Sequence, residues 1–137
     1  MSATSRVTQI ASRAAVTAAN DGTDGPLAEI GLPDGEPGFY NAVLRATENS
    51  GTGALTVTIQ DSLDGNVPWF DWVAFTAVTA SGGALVATGP LAVPISGGTL
   101  PTGPRDPLPF LRVSDAVSGD GNYTYTVDIA TRRKHSY

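Results

Sequence analysis

The chain has 137 residues, 41% of them hydrophobic, and a formal net charge of −5. That composition argues for one folded domain rather than disorder, and the charge disfavours nonspecific attraction to DNA or anionic membranes. The absence of cysteine excludes disulfides, thiol nucleophiles and cysteine-ligated metals.

Residues 1–20 read as a short helix or an edge strand, because "RVTQI" alternates while "SRAAVTAA" is rich in alanine. This segment lacks the continuous apolar core of a leader, and no run reaches the roughly 20 residues of a membrane-spanning helix. The expectation is a protein made in the cytoplasm and used as made. Repeated Asp-Gly and three prolines make 21–38 a loop, so 1–38 is expected to be an N-terminal arm ending in an acidic Gly/Pro-rich loop.

The β-core is expected over 39–131. "FYNAVLRATE" (39–48) reads as a strand and "NSGTG" as its turn. "ALTVTIQDS" (54–62) alternates cleanly, placing Leu55, Val57 and Ile59 on one face and Thr56, Thr58 and Gln60 on the other. After the turn "LDGNVP" comes "WFDWVAFTAVT" (69–79), then the short strands "ALVAT" and "LAVPI". Pro101, Pro104, Pro107 and Pro109 make 96–109 a stiff loop, part of a Pro-rich stretch over 89–109. "FLRVSDAVS" and "NYTYTVDIATR" complete the series, with Tyr123, Tyr125, Val127 and Ile129 sharing a face. Residues 132–137 read as a basic tail. Strands separated by turns, without a convincing amphipathic helix, predict an all-β fold, an antiparallel β-sandwich or jelly roll, with a closed small barrel as the competing architecture.

Chemistry finds little purchase. The single histidine, His135, ends the basic "TRRKH" stretch and builds neither a Ser-His-Asp arrangement nor a His-rich metal site. Asp61, Asp64 and Asp71 fail the EF-hand spacing, since Trp72 stands at the twelfth position counted from Asp61. The Gly-rich turns lack a phosphate-loop lysine, and "TRRKH" has no interleaved aromatics for nucleic acid. The expectation is no catalytic residue, no cofactor, no metal, no direct nucleic-acid contact and no membrane.

"LTVTIQDSLDGNVPWFDWVAFT", followed by "LPFLRVSDAVSGDGNYTYTVDI", resembles small β-sandwich proteins encoded among the structural genes of tailed bacteriophages. Their pattern is "TVTIQ-S-DG---W-D---F" followed by a "yvRv…sG…ytytv" strand pair. The resemblance covers residues 39–130 and implies a decoration or cement protein that clamps the outside of a phage head. It implies the major capsid protein and further copies of this chain, as dimer or trimer, for partners. The acidic loop 21–38 and the Pro-rich segment 89–109 are longer than that pattern. Two other readings stand beside it: a head–tail or tail accessory virion protein, and a carbohydrate-binding β-sandwich.

In "WFDWVAF", strict alternation puts Trp69, Val73 and Phe75 in the core and Phe70 with Trp72 on the opposite face. Exposed aromatics usually serve an interface. Phe70 and Trp72, with Arg105 of the Pro-rich loop and Arg132, Arg133 and Lys134 of the basic tail, are therefore the expected contact residues.

Overall fold

A computed structural model of the chain describes residues 5–17, 28–29, 38–50, 52–88 and 97–133. Among them the chain forms β1 (Ser5–Thr17), β2 (Ala28–Glu29), β3 (Gly38–Ser50), β4 (Leu55–Ser62), β5 (Phe70–Phe75), β6 (Gly82–Thr88), β7 (Gly98–Thr99), β8 (Phe110–Val117) and β9 (Asn122–Arg133). No described residue is helical. The "LAVPI" segment lies outside the described residues.

Two sheets result, one in the order β1-β9-β3-β6 and one in the order β2-β8-β4-β5-β7, with every pairing antiparallel. Leaving the two-residue β7 aside, the pairs nest along the chain: β1 with β9, β2 with β8, β3 with β6 and β4 with β5. Successive pairs fall in different sheets. That nesting defines a jelly roll, in which a long antiparallel ribbon is rolled into two facing sheets.

The core lies where the inward faces meet. Leu55, Val57 and Ile59 of β4 are buried, as are Leu111, Val113 and Val117 of β8 and Tyr123, Tyr125, Val127 and Ile129 of β9. Period-two alternation of β-branched and aromatic side chains produces this packing. Ile59→Ala should cost about 2–5 kcal/mol, the range for truncating a buried aliphatic. A chemical-denaturation midpoint equal to wild type would contradict the core assignment.

The N-terminal segment forms the edge strand that is one of its two readings, rather than a helix or a separate arm. Residues 5–17 pair along β9 and send Ile10, Ala11 and Val16 into the core. Register shifts at Gln9/Ala11 and Arg13/Val16 break its alternation, which is why the sequence reads ambiguously there. The expected basic tail also shortens. Arg132 and Arg133 belong to β9, where Phe39 and Gly38 are their backbone partners; Lys134 lies outside the described residues.

A buried acid ties the two sheets together. Asp115 points inward from β8, receiving hydrogen bonds on Oδ2 from Arg13 Nη1 of β1 at 2.9 Å and from the Tyr125 hydroxyl of β9 at 2.5 Å. Burial, reinforced by Asp115, raises the Tyr125 phenol well above its ordinary range, so Tyr125 stays a donor at any physiological pH.

Candidate functional site

The strand pairing gathers one group of features at a single end of the sandwich. There β4 ends, β5 and β8 begin, and the Tyr40 side of β3 meets the Thr131 side of β9. The β4–β5 loop projects from this end. Its backbone is fixed by short-range bonds: the Ser62 hydroxyl donates to the Asn66 carbonyl at 2.5 Å and accepts from the Gly65 N–H at 3.2 Å. Asp64 Oδ1 accepts from the Asn66 N–H at 3.0 Å, an Asx turn. Gly65 has φ of 84°, a left-handed conformation that favours glycine.

Beside the exposed Asp64 and Asn66, the loop and the start of β5 also present apolar side chains to solvent. Leu63 is 71% exposed, Val67 81% and Phe70 43%. Phe70 thus lies where an interface residue was expected.

Trp72 does not. It is completely buried, together with its neighbour Val73. The cause is a β-bulge: Ile59 pairs with Val73 and Gln60 with Asp71, leaving Trp72 as the extra residue on β5. Two consecutive side chains then point the same way. The Trp72 ring meets Tyr40 edge-on, with centroids 5.8 Å apart and planes at 86°, and its Nε1–H donates to the Arg105 carbonyl at 3.1 Å. Trp69, expected in the core, instead lies half-buried with the Arg112 guanidinium 4.4 Å from its ring centroid. The same bulge that turns Trp72 in leaves Trp69 out.

Arg105 is likewise an internal pin rather than a contact arm. Its Nη1 and Nη2 grip both oxygens of the fully buried Asp61 at 2.6 and 2.9 Å. Asp61 Oδ2 also accepts from the Leu108 N–H at 2.9 Å, and Arg105 Nε donates to Thr102 Oγ1 at 3.0 Å. The Arg105 carbonyl receives the Thr88 hydroxyl at 3.3 Å as well as the Trp72 indole. The Pro-rich segment is thereby fastened across the loop end of the sandwich, against β4, β5 and β6. A signal for this was present: the alternation of β4 puts Asp61 on the same face as Ile59, and an inward carboxylate requires a cation.

Beside this pin, burial holds the Asp106 carboxyl above the usual carboxylate range. The Tyr40 phenol is pushed up to about 12, first by burial and then by Asp106, against the opposing pull of Arg6. Both groups resist taking on negative charge. Asp61, Asp64 and Asp71 do not converge: Asp61 is claimed by Arg105, Asp64 caps the loop, and Asp71 accepts from Gln60. Among the described residues, no group of three or more His, Cys, Asp or Glu could hold a metal ion.

The class defined by these features is a jelly-roll β-sandwich with a fastened, apolar-tipped end. No protein-family model matches the chain, and no curated protein matches it. Among solved structures it is similar to the CBM22-1–GH10 modules of the Clostridium thermocellum endo-1,4-β-D-xylanase 10B complexed with xylohexaose, at 10% sequence identity and a TM-score of 0.39. That alignment covers 94% of this chain and 29% of that one.

Proposed function

We propose that this chain is a noncatalytic virion structural protein, a decoration protein of a phage head, that docks by the loop end of its sandwich onto the major capsid protein. The observation that supports this most is the exposure of Leu63 and Val67, on a loop whose backbone is held by its own hydrogen bonds, together with Phe70 at the start of β5. Large apolar side chains grouped on a surface mark binding sites. A loop already held in one conformation loses little entropy on docking.

The Asp61–Arg105 pin stiffens the ground beneath that loop, and β9 brings the backbone of Arg132 and Arg133 to the same end. The mechanism is mechanical: each bound copy bridges neighbouring capsid subunits and opposes their separation, and repetition over the shell multiplies a modest contact.

The test is add-back of the purified protein to capsids that lack it. Val67→Asp should weaken occupancy by about 2 kcal/mol or more, the scale of an interface anchor, with the unfolding midpoint unchanged. Leu85→Asp, an exposed leucine on β6, should bind as wild type. Equal occupancy for wild type and Val67→Asp would remove the loop from the docking surface.

A further inference from the structure

The outer face of the five-stranded sheet carries a charge pattern that neither the loop nor the core uses. Arg112 of β8, Gln60 of β4 and Asp71 of β5 are cross-strand neighbours. Arg112 Nε donates to Gln60 Oε1 at 2.8 Å, and Gln60 Nε2 donates to Asp71 Oδ1 at 2.9 Å. With its Nε engaged and one face lying on the Trp69 ring, the guanidinium is fixed in direction. Its two terminal nitrogens make no hydrogen bond among the described residues. By contrast Arg13, Arg45 and Arg105 each hold a carboxylate, those of Asp115, Asp128 and Asp61. Arg112 is a prepared cation with no acid of its own. The second oxygen of Asp71 is also unengaged among the described residues.

The row is antisymmetric about β4, with a cation on one side, an amide at the centre and a carboxylate on the other. A two-fold axis along β4, midway between two such faces, sets each Arg112 opposite the other copy's Asp71. One operation satisfies both charges, as an isologous contact requires. The adjoining outward positions are small: Thr56, Thr58, Ala74, Ser114 and Ala116. They let a second sheet lie at the usual distance of about 10 Å.

We propose that the outer face of β8-β4-β5 is a self-association surface, on which a second copy of this chain packs with reciprocal Arg112–Asp71 ion pairs. Charge complementarity names the occupant, since a second copy supplies both the acid and the cation at matching positions. The surface adjoins the β4–β5 loop through Trp69, but self-association is read in solution without the capsid, so the inference stands or falls independently of capsid docking.

The experiment is sedimentation equilibrium of the full chain at low salt, for wild type, Arg112→Glu, Asp71→Arg and the double variant. Wild type should form a dimer. Either single reversal sets like charges opposite each other twice per dimer and should raise the dissociation constant at least about tenfold. The double variant should return to within about threefold of wild type. Within each copy the Gln60 amide can turn over to serve the exchanged charges, because its oxygen and nitrogen swap roles. Unfolding midpoints are measured alongside; if a reversal unfolds the chain, Arg112→Gln and Asp71→Asn replace it, with weakening again expected. A wild type that stays monomeric, a dimer indifferent to the single changes, or a double variant no stronger than the singles would overturn the proposal.

Discussion

Trp72→Ala should unfold the isolated domain at a much lower denaturant concentration, at a cost of about 3–5 kcal/mol. The side chain is wholly buried, packs edge-on against Tyr40, and donates to the Arg105 carbonyl. Truncation would open a cavity between the sheets and free one strand of the fastening that holds the Pro-rich segment. Its upper range is expected, because the surrounding strands are hydrogen-bonded on both sides and can collapse only partly. Trp69→Ala should do far less. Its contact with Arg112 is at the surface, where such a stack is worth about 0.5–1 kcal/mol. Denaturant titrations of both variants make the comparison, and a Trp69 variant less stable than the Trp72 variant would contradict the bulged register of β5.

Arg105→Met should be the second costly change, at about 3–5 kcal/mol, because it strands a buried charge. Asp61 has no exposure, and without the guanidinium it would keep the Leu108 N–H as its described partner. Asp61→Asn should cost less, since the Arg105 side chain retains 27% exposure and can turn toward water. Joining Arg105→Met to Asp61→Leu should recover most of the loss, as apolar replacement of a buried pair often does. Thermal unfolding of the three variants decides the matter. A fully stable Arg105→Met protein would return this residue to the docking surface, where its position in a Pro-rich loop first suggests it.

Much of this architecture is legible in the alternation of the strands. Leu55, Val57 and Ile59, and the Tyr123–Ile129 face of β9, lie inside as their spacing predicts, because period two is sufficient where a strand is regular. It fails where a residue is inserted. In "WFDWVAF" apolar side chains occupy both parities, so nothing local says which of Trp69 and Trp72 is extra. Only the pairing of Ile59 with Val73 and Gln60 with Asp71 decides it. In β1 the adjacent burial of Ile10 and Ala11 hides the strand in the same way. The structural role of Arg105 is hidden for a different reason. Composition marks its loop as irregular, but irregular chain can still be fastened by one well-placed ion pair. The apolar loop tip is half visible in the sequence: Phe70 stands out as an aromatic, whereas Leu63 and Val67 lie in what reads simply as a turn.

Attachment in many copies to a phage head is the role proposed for this jelly roll. A quantitative protein inventory of purified particles, from the genome that encodes the chain, tests it most directly. Decoration predicts recovery in a fixed, high ratio to the major capsid protein, with cross-links from residues 63–70 to that protein. Absence from washed particles, or presence in a few copies linked to tail components, would contradict it.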